Sequence, residues 1–282
     1  MNVRFNLMQE VSQLAVSERF GGTQRLYGVQ PTEWLSQAHF VVIGIGGVGS
    51  WAAEALARTA VGRLTLIDLD DVCVTNTNRQ IHAMTGTVGQ MKVDVMAERI
   101  RSINPDCVVD VHHAFVTPDN LSELIDPDVD GVIDAIDSLK PKAALIAYCR
   151  RQKIPMVTTG GAGGQTDPTQ ITVADLSRTK HDPLAAKTRQ RLRKFHGFPA
   201  AEKGKFGIDC VYSTEQLVYP QADGSVCAAK PGAGNSTRLD CASGFGASVM
   251  VTASFGMTAA ARLVERWLQR KERRNRLEME TV

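Results

Sequence analysis

The stretch His39-Phe40-Val41-Val42-Ile43-Gly44-Ile45-Gly46-Gly47-Val48-Gly49-Ser50-Trp51-Ala52-Ala53-Glu54-Ala55-Leu56-Ala57-Arg58 decides the fold. Residues 39–43 read as a buried strand, the alanine-rich half as a helix, and the glycines as the turn between them. A turn this tight needs residues without a Cβ, and a helix N-terminus approached by bare backbone N–H groups attracts phosphate. Gly-x-Gly-x-x-Gly alone is a weak signal that a purely structural turn also satisfies. Here Arg63–Asp68 reads as a second strand closing on Asp68, about 20 residues on, the layout of a nucleotide-binding βαβ unit. Gly44, Gly46, Gly47 and Gly49 are therefore expected beneath a nucleotide.

Outward from this unit the β–α alternation continues. Val108–His112, Gly131–Asp134, Pro155–Thr159, Thr169–Asp175 and Ile208–Ser213 read as strands. Lys92–Ile103, a short turn near Leu121–Ile125, and Pro141–Arg151 read as helices, and a basic helix ends near Gly197. The expected fold class is α/β: a Rossmann-like, doubly wound, mostly parallel sheet with a C-terminal α/β extension. Residues 1–38 form an arm and helix, 39–262 the nucleotide-binding domain, and 263–282 a basic tail.

The net charge of +2 over 282 residues announces no global polyanion-binding field. Six cysteines are scattered without a Cys-x-x-Cys pair, which argues against tetrahedral zinc and against a disulfide scaffold, and fits a reducing cytoplasm. The N-terminus lacks the apolar core of a signal peptide. Residues 242–261 carry no charge and are long enough to cross a bilayer, but their many small and hydroxyl residues favour a closely packed helix over membrane association.

Chemistry-bearing residues gather after Asp68. Asp70, Asn76, Asn78, Arg79 and Gln80 make an amide-rich loop with one arginine, suited to phosphate or ribose hydroxyls. Lys92 stands in a first helical turn, where a cation is disfavoured unless an anion compensates. Asp134, Asp137 and Ser138 end a parallel strand and face the crevice, where one carboxylate could hold Mg2+ with its phosphates. Gly160–Gly164 is a second cluster that either lets backbone approach a ligand or is simply a flexible turn. Arg19, beside Gly21 and Gly22, reads first as part of a solvated loop and second as a mobile arm carrying charge. From Arg178 to Lys205 there are nine Lys or Arg against two acidic residues. Arg189, Arg191, Arg193 and Lys194 are thus either a solvated face or a nucleic-acid contact.

Taken together, Gly-x-Gly-Gly-x-Gly, Asp68-x-Asp70, Asn76-x-Asn78-Arg79-Gln80, Lys92 and Asp134-x-x-Asp137 resemble the ubiquitin-activating-enzyme superfamily. The resemblance implies ATP as substrate, with Asp68 on the ribose, Arg79 and Lys92 on the phosphates, Asp137 on Mg2+, and Asp70 and Asn76 in support. Arg19 looks like the arginine that reaches a neighbouring subunit's ATP, which implies a homodimer. Members that activate ubiquitin-like sulfur carriers usually carry paired zinc cysteines, which are absent here, although that function remains the alternative. Residues 75–83, 134–149, 158–165 and 240–246 instead resemble the tRNA threonylcarbamoyladenosine dehydratases. That resemblance implies ATP-dependent adenylation of a threonyl carboxylate on tRNA, followed by cyclisation. It also turns Arg178–Lys205 and Arg262–Arg276 into expected tRNA surfaces. Cys241, placed before a helix, is a weaker candidate for a thioester. A monovalent cation, and a cysteine desulfurase with its sulfur acceptor, are further partners that the resemblance leaves open.

Overall fold

The computed structural model describes residues 18–200, 203–221, 223–229 and 245–280. Seven strands, β1 (His39–Ile43), β2 (Arg63–Asp68), β3 (Val108–His113), β4 (Gly131–Asp134), β5 (Met156–Thr159), β6 (Ile171–Asp175) and β7 (Asp209–Ser213), form one sheet in the order β3-β2-β1-β4-β5-β7-β6. Every pairing is parallel except β6 with β7. Along β1, Phe40 and Val42 enter one core while Val41 and Ile43 enter the other. A strand buried on both faces has no polar face to show, hence its unbroken apolar run.

Residues 18–27 are helical and lead to α1 (Val29–Leu35). Next along the chain are α2 (Gly49–Ala57), α3 (Lys92–Ile103), α4 (Leu121–Leu124), α5 (Leu139–Gln152), α6 (Pro183–His196) and α7 (Val249–Glu280). One face of the sheet is covered by α2, α3 and α7 through Leu56, Met96, Phe255 and Leu263. The other is covered by α4, α5 and α6 through Leu121, Leu145, Ile146 and Leu192. The doubly wound sheet is thus as expected, with β6 as its antiparallel edge. β6 starts at Ile171 because Asp167 caps a 3-10 turn over Pro168–Gln170.

The uncharged segment is a packed helix. At Gly256 a Cβ would lie 2.4 Å from Val48 O and 2.8 Å from Ala52 N, so only glycine lets α7 lie directly on the first turn of α2. Among the described residues no helix is long and apolar enough to cross a membrane. The helix begins at Val249 and not directly after Cys241, because the preceding carbonyls are taken elsewhere: Gly246 O accepts from Gly164 N and Ala247 O from Asn78 Nδ2. It then runs through residue 262 without a break, and Arg262 and Arg266 both bond Asp209 Oδ2 at 2.9 Å.

Candidate active site

In the sheet order, β1 lies between β2 and β4, so connections leave it in opposite directions and open a crevice at the strands' carboxyl ends. The glycine turn fills this point. Gly44 adopts φ +85°, and a Cβ there would meet Ala135 O at 2.9 Å, so the turn leans on the loop that follows β4. A Cβ on Gly49 would overlap Gly44 O, which closes the turn tightly. Around Gly46 the space is open, and the N–H groups of Gly46, Gly47 and Val48 have no acceptor among the described residues. Ile45 N, by contrast, is spent on Asp68 Oδ2 at 2.6 Å, while Asp68 Oδ1 accepts from Asp70 N at 2.9 Å. Asp68 thereby ties the turn to the next loop and retains a lone pair on each oxygen.

Arg79 lies with its stem over Gly47, where a Cβ would be 3.1 Å from Arg79 Cγ. Its Nη1 donates to Thr75 O at 3.0 Å and to Asn78 Oδ1 at 2.9 Å, and its carbonyl accepts from Trp51 Nε1 at 3.0 Å. Among the described residues Nε and Nη2 have no acceptor and are left for a ligand. The Lys92 side chain is nearly buried, with Nζ 2.7 Å from Asp70 Oδ2, which supplies the compensating anion its helical position requires. Asn76 Oδ1 accepts from Cys73 N and shapes the loop from within. Gln80 and His82 are buried beside it, with Gln80 Oε1 and both His82 ring nitrogens unpartnered. Burial, then Lys92 and Arg99, push His82 down to about 4.

The two carboxylates at and after the end of β4 divide their labour. Asp134 is fully buried: its Oδ2 lies 2.9 Å from Lys142 Nζ and accepts from Thr158 Oγ1 at 2.6 Å, and its Oδ1 accepts from Ile136 N. Asp137 and Ser138 are exposed at the start of α5. Only Asp137 can therefore meet a cation. Among the described residues no group of three acidic, histidine or cysteine side chains forms a metal cage. A single exposed carboxylate fits an ion that arrives with phosphate oxygens.

Lys142 Nζ also donates to Ile136 O at 2.9 Å, and Asp182 lies in the same buried region. Asp182 caps α6 through Ala185 N and holds Gly161 N at 3.0 Å. At Gly160 a Cβ would collide with the Asp182 carboxylate, so this glycine cluster serves close packing. Burial raises the Asp182 pKa against the opposing effect of those N–H groups and Lys142.

Three of the four residues singled out on the basic helix share one face. Lys187, Arg189, Arg193 and Lys194 line an open groove of about 620 Å3 on α6. Arg191 turns away, 4.9 Å over the Phe195 ring. Arg189 donates to Thr179 Oγ1 and Arg193 Nε to Pro199 O, so both also hold the fold. Arg19 Nη1 donates to Ile103 O at 3.0 Å, at the opposite end of α3 from Lys92. Cys241 lies outside the described residues.

The ThiF family model matches residues 22–280. The chain belongs to the ThiF family. Within it, the chain is 61% identical to tRNA threonylcarbamoyladenosine dehydratase of Escherichia coli over 91% of its own length and 96% of that protein. It is 53% identical to the Haemophilus influenzae enzyme of the same name, over 90% and 95%. The crystal structure of the E. coli dehydratase in complex with ATP superposes with a TM-score of 0.82 at 55% identity, covering 92% of this chain and 97% of that one.

Three features of this ThiF-family site escaped sequence reasoning. Lys142 is not singled out by its sequence neighbourhood, yet a carboxylate ending an apolar strand calls for a counter-charge. Asp182-Pro183 is a helix-start signature that marks α6. For His82 there was no signal.

Proposed function

We propose that this chain uses ATP to cyclise the threonylcarbamoyl side chain on a tRNA adenosine, with net loss of water. One observation carries the reading. Asp68, Arg79, Lys92 and Asp137 flank a glycine turn with free N–H groups, in a chain matching the E. coli dehydratase over nearly its full length. The threonyl carboxylate attacks the α-phosphorus, the bond to the bridging oxygen breaks, and pyrophosphate leaves. A nitrogen of the same side chain then attacks the activated carbonyl carbon and loses its proton to solvent. AMP departs with the carboxylate oxygen.

Each residue has a place in that sequence. Asp68 accepts from the ribose hydroxyls, and the free N–H groups of Gly46, Gly47 and Val48 receive phosphate oxygens. Arg79 and Lys92 offer fixed positive charge where negative charge collects on the departing pyrophosphate. Asp137 would hold Mg2+ together with the phosphates, and the ion would offset charge on them. The nucleophile is tethered to its target, an arrangement worth effective molarities of about 10^5 M or more, so the cyclisation needs no thioester on Cys241.

Arg19 supports a second copy of the chain at the site. It sits at the far end of the twelve-residue α3 from Lys92, about 18 Å at 1.5 Å per residue, too far to serve its own crevice. The groove on α6 supplies the basic surface for tRNA.

The test is nucleoside mass spectrometry of tRNA bearing open threonylcarbamoyladenosine, incubated with the purified protein and ATP. The nucleoside loses one water and AMP accumulates in equal amount. Unchanged open nucleoside would overturn the reading.

A further inference from the structure

The Asn78 side chain is exposed, yet both ends of its carboxamide are engaged. Oδ1 accepts from Arg79 Nη1 at 2.9 Å, and Nδ2 donates to Ala247 O at 2.9 Å, a residue 169 positions away. Chemistry dictates this orientation: a flipped amide would set two donors against each other at Arg79 and two acceptors at Ala247. The segment holding Ala247 is fastened on its other side as well. Gly246 O accepts from Gly164 N at 2.8 Å, Phe245 lies 5.1 Å from the Tyr219 ring, and Cβ atoms at Gly163 and Gly164 would overlap Phe245. Asn78 is thus the hydrogen-bonded link between the loop of Arg79 and the segment that seats α7 on the second glycine cluster.

We propose that Asn78 is a positioning residue for adenylation. It orients the Arg79 guanidinium according to where residues 245–248 lie, and makes no contact of its own with ATP. This rests on the adenylation reading above. Among the described residues Arg79 is otherwise steered on that nitrogen only by Thr75 O, four residues back on the same loop. Without Asn78 the positive charge stays near the phosphates but loses its aim. Ground-state attraction for ATP therefore survives while transition-state stabilisation falls.

Asn78→Ala removes both arms. Asn78→Asp keeps an acceptor for Arg79 but sets oxygen against Ala247 O, so it breaks the link to the segment and also places a negative charge beside the guanidinium. AMP release is followed with tRNA bearing open threonylcarbamoyladenosine, with kcat and the KM for ATP separated. Both variants are expected to lose about tenfold in kcat, and Asn78→Ala, which adds no charge, to keep its KM for ATP within about twofold of wild type. Phe245→Ala loosens the same segment from its other side. The double variant Asn78→Ala/Phe245→Ala is accordingly expected to be no slower than the slower single variant. A raised KM with kcat retained in Asn78→Ala would make Asn78 an ATP ligand and overturn the proposal. So would a wild-type rate in Asn78→Asp, or additive losses in the double variant. A wild-type protein that releases no AMP would instead count against the adenylation reading itself.

Discussion

Lys142 Nζ stands 2.9 Å from Asp134 Oδ2 with both side chains sealed from solvent, directly beneath the loop that carries Asp137. The pair is well furnished: Thr158 and Ile136 N satisfy the carboxylate, and Ile136 O takes a second ammonium hydrogen. Such a pair adds little net stability over an apolar replacement, but removing one partner strands a buried charge. Lys142→Met should therefore cost about 3–5 kcal/mol in urea unfolding, whereas Asp134→Asn/Lys142→Met should recover much of that loss. Equal losses in the single and double variants would show that the lysine matters for packing alone.

His82 makes the fold acid-sensitive. Its ring is buried beside Lys92 and Arg99, which holds it near 4 against 6.5 in an unfolded chain. Between those values the unfolded state binds the proton and the folded state does not, so stability is lost as pH falls from 6.5 toward 4. The effect amounts to about 2 kcal/mol by pH 5. His82→Leu should flatten the dependence by that amount relative to wild type, as read from urea midpoints at pH 7 and pH 5. Parallel pH profiles would contradict it.

What could be read in advance was what local pattern controls. Arg63–Asp68, Gly131–Asp134 and Lys92–Ile103 fall on the observed elements residue for residue, because apolar periodicity and turn residues mark their ends. The glycine turn was legible for the same reason. Features set by distant partners were not. The start of α7 depends on Gly164 and Asn78 claiming the carbonyls of Gly246 and Ala247. Lys142 is buried because α5 presses that turn onto Asp134, and a lysine between Pro141 and Ala143 carries no sign of it. On α6, Lys187 lines the groove and Arg191, stacked on Phe195, does not, a division that the run of basic residues does not mark.

If Arg19 serves a neighbouring copy, its loss can be complemented. Arg19→Ala and Lys92→Ala should each be inactive as pure proteins, since each lacks one charge at every site. Mixed after subunit exchange, half of the dimers combine the two chains and rebuild one intact site, restoring about a quarter of wild-type activity per site. AMP release by the equilibrated mixture is the measurement. No recovery, with exchange verified by mass-tagged subunits, would place Arg19 outside the catalytic site.

If the α6 groove is the tRNA surface, residues that hold the fold can be separated there from residues that bind. Among the described residues Lys187 and Lys194 line it with no acidic partner, whereas Arg189 is bonded to Thr179 and Arg193 to Pro199. Each lysine that neutralises a phosphate releases counterions and adds about 0.7–0.9 to the slope of log affinity against log salt. Lys187→Ala/Lys194→Ala should therefore weaken tRNA binding at low salt and flatten the slope by about 1.4–1.8, without lowering the melting temperature. Arg189→Ala should lower both affinity and melting temperature, because it also removes the anchor between α6 and Thr179. Filter binding across a potassium chloride series, with a melt on each variant, distinguishes the two. An unchanged slope in the double lysine variant would move the tRNA surface off α6. The exposed Arg270, Arg273 and Arg276 on the outer turns of α7 would then be the next place to look.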